Sequence, residues 1–183
     1  MELCNKWSLY LHYKDLGKLY NDNIEKLMDI NDIETFWRTY NNIPKIYELF
    51  SDGYSIKKIK RTGATPCAYS FFKDDIYPCW EHDMNKNGFE LSIKNNYNFK
   101  KFQDEWLTSM LELISNNNKM NENINGIRIV DCTKGKSVLY RMEYWVNDES
   151  YREDIEKILK SDVFSLNKYI LMYRSHSNIK EIV

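Results

Sequence analysis

The sequence predicts an α+β fold, an antiparallel sheet with helices packed on one face, and three observations carry that expectation. Short β-rich runs recur along the chain, apolar stripes at helical spacing interrupt them, and their order lacks the strand-helix alternation of a parallel sheet. A chain of 183 residues is long enough for one core and short for two, so a single domain over 1–183 is expected.

Trp7 to Tyr13 reads W-S-L-Y-L-H-Y, with Trp7, Leu9, Leu11 and Tyr13 on one side of a period of two, a half-buried strand. A turn over Lys14 to Lys18 leads to a weaker strand at about 24–30. Asn31 can cap a helix with Glu34 three residues on, over Ile33, Phe36, Trp37 and Tyr40, ending near Asn41-Asn42 ahead of Pro44. Residues 44–68 hold Pro44, Gly53, Gly63, Pro66 and the basic cluster Lys57, Lys58, Lys60 and Arg61, and read as an extended loop with room for one helical turn. Strands follow at about 69–73 and 89–94, around an irregular segment from Asp74 to Gly88. A helix capped by Asn98 runs to Ser115 and closes in Asn116-Asn117-Asn118. Ile124 to Cys132 and Lys136 to Trp145 pair as a hairpin around Lys134-Gly135. A last amphipathic helix starts at Asn147 or Asp148 with Tyr151, Ile155, Ile158 and Leu159 inward, and Lys168 to Arg174 reads as the final strand.

Composition excludes several function classes. With 26 basic and 27 acidic side chains the net charge is −1, which argues against coating nucleic acid through many phosphate contacts but allows a small, local nucleic-acid ligand. No apolar run reaches the roughly 20 residues that span a bilayer, and Met1 to Lys6 lacks a basic region followed by an apolar stretch, so a soluble protein of cytosol or nucleus is expected. Cys4, Cys67, Cys79 and Cys132 form no CxxC pair and read as reduced thiols rather than a zinc site. Asn, Lys, Ile and Tyr make up about two-fifths of the chain, a bias towards A- and T-rich codons found in some protists and large DNA viruses. Three separated histidines and the absence of a phosphate loop or nucleophile elbow give no catalytic constellation, and no cofactor or metal is implied.

Two features point to ligands. Aromatics are 15% of residues, more than the interior needs, and Trp80-Glu81 sits in an irregular connection. A ring beside a carboxylate suits a flat heterocycle that stacks on the ring and gives N–H donors to the acid; the alternative is a Trp packed under its own loop. On the helix after Asn98, Phe99, Phe102, Trp106, Met110 and Leu113 make the buried stripe, while Leu107 and Leu111 widen the apolar arc. With Ile33 and Trp37 they either wedge the helix deeply or form a patch for a partner helix.

In order along the chain, N-K-W-S-L-Y at 5–10, D-I-E-T-F-W-R-T-Y-N-N-I at 32–43, Y-S-F-F-K-D-D-I-Y-P-C-W-E at 69–81, E-W-L-T-S-M-L-E-L-I at 105–114 and Y-R-S-H at 173–176 resemble the landmarks of eukaryotic translation initiation factor 4E. The F-K-D-x-I-x-P-x-W-E and F-W-x-x-Y-N-x-I elements make the resemblance specific. It implies a curved antiparallel sheet with three helices on its convex face and the messenger RNA cap bound in the concave face. It also implies a cap-binding translation factor without enzymatic activity, partnered by capped mRNA and by a 4G-type scaffold or a 4E-binding repressor helix, with no membrane.

The resemblance also implies residue roles. The cationic 7-methylguanine lies between two rings, and Trp80 matches one of them. Tyr20 takes the place of the other, usually Trp, so a Trp there is expected to bind the cap more tightly. Glu81 matches the carboxylate that receives the guanine N1–H and N2–H, and Tyr140 matches a third aromatic near the N7-methyl group. Of the residues that grip the triphosphate, Lys136 matches the Lys, the Arg position falls on Cys132, and Lys134 and Arg128 are placed to substitute. Ile33, Trp37, Leu107 and Leu111 match the partner surface. The 44–68 loop is longer than usual, either a solvated insertion or a contact with nucleotides beyond the cap. An interaction module that keeps the partner surface but has weakened cap affinity is the rival reading.

Overall fold

The computed structural model describes residues 2–14, 19–55, 57, 63–95, 99–115, 122–162, 164 and 166–177. Seven strands, β1 (Glu2–Lys14), β2 (Ile24–Asp32), β3 (Thr65–Lys73), β4 (Phe89–Asn95), β5 (Ile124–Asp131), β6 (Tyr140–Val146) and β7 (Met172–Ser175), form one curved sheet. Its order is β2-β1-β3-β5-β6-β4-β7, with every neighbour antiparallel. Three helices, α1 (Ile33–Asn42), α3 (Phe99–Ser115) and α4 (Arg152–Lys160), cover one face, and α2 (Ile46–Leu49) is a single turn.

The period of two divides the sheet's faces. Towards the helices point Trp7, Leu9 and Leu11 of β1, Tyr69 and Phe71 of β3, Ile127 and Ile129 of β5, and Tyr140, Met142, Tyr144 and Val146 of β6, which pack on Phe36, Phe102, Trp106, Met110, Ile155 and Leu159. The opposite, concave face carries a smaller cluster of Tyr10, Phe72, Ile76 and Trp145, together with buried polar side chains. Gly126 is required where β5 crosses Phe72, since a Cβ there would lie 2.4 Å from its ring.

Several boundaries differ from the sequence reading for local reasons. Asp32, not Asn31, caps α1, its carboxylate accepting from Thr35 N at 2.8 Å. The strand after the hairpin begins at Tyr140 rather than Lys136, because Lys134 and Ser137 already close the tip with Gly135 at φ +56. The last strand is only Met172–Ser175, and α4 is preceded by a 3-10 turn capped by Asp148. The Asn98 cap, the Asn116–Asn118 stop and residues 15–18 of the first turn lie outside the described residues.

Candidate functional site

Two rings face each other over the concave face. Tyr20 stands on the 3-10 turn Tyr20–Asn23 between β1 and β2, and Trp80 on the connection between β3 and β4. Their centroids are 6.1 Å apart and their planes differ by 10°. A flat ligand in contact with both rings needs their planes about 7 Å apart, because carbon atoms in contact lie about 3.5 Å apart. A cavity of about 150 Å³ lined by His12, Tyr20, Cys67, Arg128 and Val130 adjoins the Tyr20 ring.

The Trp80 plate is fixed through Asn85, which is fully buried. Its Nδ2 donates to the carbonyls of Tyr77 (3.0 Å) and Cys79 (2.9 Å), its Oδ1 accepts from Asn125 (2.9 Å), and its own carbonyl accepts from Nδ1 of His176 (2.7 Å). The connection returns to β4 through Gly88, whose missing Cβ would stand 1.9 Å from the Val146 carbonyl oxygen. The Trp145 ring lies nearly parallel to Trp80 at 6.3 Å, and the Arg174 guanidinium carbon sits 5.1 Å from the Trp80 centroid. Glu81 follows directly, with its side chain exposed.

The Tyr20 plate is fixed by charge. Arg128 of β5 donates from Nη1 to Tyr20 Oη at 2.7 Å and from Nε to Glu143 Oε2 at 2.7 Å. Glu143 also accepts from Trp145 Nε1 at 3.0 Å and pairs with Arg141 at 2.5 Å. Burial alone would raise the Glu143 pKa, but Arg128 and Arg141 outweigh it and hold the carboxyl down at about 2, so it stays ionised. Burial first, then the Arg128 charge, pushes His12 down to about 3, leaving a neutral imidazole against Ser70 Oγ at 2.6 Å. Glu90 is pushed up to about 7 by burial and then by Glu143.

The structure brings Tyr20 and Trp80 together, leaves the Glu81 carboxylate at the Cys79 thiol, and moves two of the expected residues elsewhere. Tyr140 is on the helix-facing side of β6, packed on Phe99 (4.6 Å) and Phe50 (5.6 Å) with its hydroxyl donating to the Ser51 carbonyl. Alternation puts Arg141, Glu143 and Trp145 on the concave face instead, so Tyr140 cannot reach a ligand in the slot. Arg128 is buried beneath Tyr20, 6% exposed and tied to Glu143, and so is a support of the ring rather than a free phosphate ligand. Lys134 and Lys136 are exposed on the β5–β6 hairpin, which overhangs the sheet end where β1 runs out at Lys14. Lys57 turns back to donate to the Tyr47 carbonyl at 2.8 Å, while Lys58, Lys60 and Arg61 lie outside the described residues.

On the convex side Ile33, Leu107 and Leu111 are half-buried against the core, and Trp37 is 38% exposed, edge-on to Phe36 at 5.3 Å and Tyr40 at 6.1 Å. Gln103 of α3 donates to Tyr40 Oη at 2.8 Å and ties the two helices together.

Sequence reasoning missed Arg141, Glu143, Trp145 and Arg174, which the alternation of β6 and the Y-R-S-H element could have placed. It also missed Asn85, for which the sequence carries no signal, since its role depends on hydrogen bonds with Asn125 and His176, distant in the chain.

The family model for eukaryotic initiation factor 4E matches residues 2–181. Eukaryotic translation initiation factor 4E of Dictyostelium discoideum is 27% identical over 86% of this chain, which spans 58% of that protein's length. Factor 4E-1B of Danio rerio is 26% identical over 96% of this chain and 77% of its own. Among solved structures, C. elegans eIF4E-3 in complex with the 4E-binding protein Mextli and a cap analog superposes with a TM-score of 0.78 at 21% identity, covering 97% of this chain and 93% of that one. Ascaris suum eIF4E-3 with m7G cap gives 0.77 at 20%, covering 100% and 96%. By the extent of the family match, this chain belongs to the eukaryotic initiation factor 4E family.

Proposed function

We propose that the chain binds the 7-methylguanosine 5' cap of mRNA in the slot between Tyr20 and Trp80 and engages a helix of a 4G-type scaffold or 4E-binding repressor across Ile33, Trp37, Leu107 and Leu111, acting in translation initiation. The observation that carries this reading is the nearly parallel pair of Tyr20 and Trp80, with the exposed Glu81 next in sequence to Trp80. A cationic base between two rings gains cation–π attraction, and Glu81 can accept from the N1–H and N2–H of guanine, a pair of donors that adenine lacks. The family match and the cap- and Mextli-bound relatives support the reading.

On the phosphate side Lys136 and Lys134 supply exposed cations. Arg141, whose charge acts on the Cys132 thiol, brings a guanidinium to the neighbourhood of Cys132 and so offsets the absence of an Arg at that position.

Retention on an m7GTP resin, competed by free m7GTP but weakly by GTP, is the expected result. Trp80→Ala and Glu81→Ala should each lose roughly 1–3 kcal/mol of affinity, and parent-like binding by both would place the pocket elsewhere. The smaller ring at Tyr20 favours a second reading, a regulator with weak cap affinity. Failure of the parent chain on the resin, with a scaffold helix still bound, would select that reading.

A further inference from the structure

We propose that Arg174 sets how strongly the slot prefers a positively charged base over a neutral one. The inference rests on the reading of the slot given above and concerns its selectivity. Sheet order places β1, β3 and β5, which support Tyr20, on one side of Trp80, and β7 with Arg174 on the other. With Trp80 beside Trp145 of β6, the β5 support of Tyr20 and the β7 strand of Arg174 lie to opposite sides, so we infer that a ligand enters from the Tyr20 side while the Arg174 guanidinium carbon, 5.1 Å from the Trp80 centroid, acts from the other.

A cation is attracted to an aromatic ring by the negative charge of its π face. A guanidinium already placed on Trp80 draws on that same charge. Its own positive charge stands about 8–9 Å from a base stacked at contact distance on the other face. That repulsion acts on a methylated, cationic guanine and not on a neutral one. Tyr20 is affected in the same direction, because its hydroxyl accepts a hydrogen bond from Arg128.

The neighbouring acids do not cancel the effect. Glu143 is committed to Arg128 and Arg141. Glu90, opposite Arg174 in the β4–β7 register, is buried, and burial with the Glu143 charge pushes its pKa up to about 7, so it is mostly neutral when binding is measured at pH 6. Arg174 itself is exposed, so replacing it leaves the core intact.

The test compares m7GTP with GTP by quenching of tryptophan fluorescence, in the parent chain, Arg174→Gln and Arg174→Lys. Both nucleotides carry the same triphosphate, so any contact of Arg174 with phosphate cancels in the ratio of their Kd values. Removing a unit charge 8–9 Å away is worth about 2-fold at the dielectric constant of water and about 25-fold at an effective value of 20. Arg174→Gln should raise the preference for m7GTP by a factor inside that range, Arg174→Lys should keep most of the parent ratio, and the gain should shrink at 1 M salt. Binding of m7GTP with an unchanged or lowered ratio in Arg174→Gln overturns this inference and leaves the cap reading standing. Failure of the parent to bind m7GTP overturns both.

Discussion

Replacing Tyr20 by Phe isolates what the Arg128 hydrogen bond contributes to the slot. The ring and its stacking surface stay, and only the Oη acceptor at 2.7 Å from Arg128 Nη1 is removed. A hydrogen bond to a charged group contributes about 1.5–3 kcal/mol, and because Tyr20 is 44% exposed the lower part of that range applies. Arg128 keeps its bond to Glu143, so the expected loss of folding stability is about 1–2 kcal/mol. The plate also becomes free to rotate, and binding must then order it, at about 0.5–1.5 kcal/mol for one side chain. Cap-analogue affinity should therefore fall roughly 3- to 10-fold, measured by fluorescence titration beside a thermal melt. Tyr20→Trp tests the same logic from the other side. Sequence alone favours tighter binding by the larger ring, but an indole cannot accept from Arg128, and the stranded buried donor offsets the added stacking. Affinity equal to or above the parent's in Tyr20→Phe, with a lowered melting temperature, would refute the idea that this bond orients the plate.

Three further outcomes follow from the geometry. Trp37→Ala should abolish binding of a helical peptide carrying Tyr, four residues, Leu and an apolar residue. It should leave cap affinity unchanged and combine additively with Tyr20→Phe to within about 0.5 kcal/mol, measured as a double-mutant cycle on cap binding. Lys136→Ala should reduce the slope of log affinity for a cap dinucleotide against log salt by about 0.7–0.9, and an unaltered slope would remove Lys136 from the phosphate site. Glu90 has a folded-state pKa raised to about 7, so between its ordinary value and pH 7 the folded chain binds more protons than the unfolded one and loses stability as pH rises. Glu90→Gln, which stays neutral, should thus be more stable than the parent at pH 8 by as much as about 3 kcal/mol, and the advantage should vanish near pH 4 in urea titrations.

How much of this was legible depended on whether a feature is local. Trp7 to Tyr13 shows its period directly, and α1, α3 and α4 carry their stripes in sequence, so strand count and helix placement could be read. The slot was half legible: Trp80-Glu81 is a local pair, while Tyr20 needed the family's pattern. Tyr140 was misassigned because a pattern match is blind to a one-residue offset, and in a strand one residue is the difference between faces. Counting Tyr140, Met142, Tyr144 and Val146 as one apolar set would have turned Arg141 and Trp145 towards the ligand side. The Arg128–Glu143 pair was illegible for another reason. A buried ion pair is written in the register of β5 on β6, where Arg128 faces Glu143, and neither residue's neighbours in sequence announce it.

The expected independence of the two faces has a physical basis in how the aromatic contacts are pinned. Rings touch in an almost unbroken series from Trp37 through Phe36 (5.3 Å) to Phe71 (6.2 Å), and, beyond the β3 backbone, from Phe72 to Trp145 (5.3 Å) and Trp80 (6.3 Å). Contact alone does not couple sites; coupling needs an element with two arrangements that both sites bias. The crossing point is Phe71–Phe72, adjacent residues of β3 that point to opposite faces and are both fully buried. Their backbone is paired to Leu9 and Ser8 on one side and to Ile127 and Gly126 on the other. Gly126 and Phe72 pack so closely that a Cβ at 126 would stand 2.4 Å from the Phe72 ring, and Trp7 stacks on Phe71 at 4.8 Å. Trp37 is the exposed end of the series, so truncating it removes a contact without freeing Phe36, which is 1% exposed and held by Tyr40 and Phe71. A series pinned at its midpoint transmits no displacement. Non-additivity of more than about 1 kcal/mol between Trp37→Ala and Tyr20→Phe would mean that the sheet at Phe71–Phe72 has a second packing.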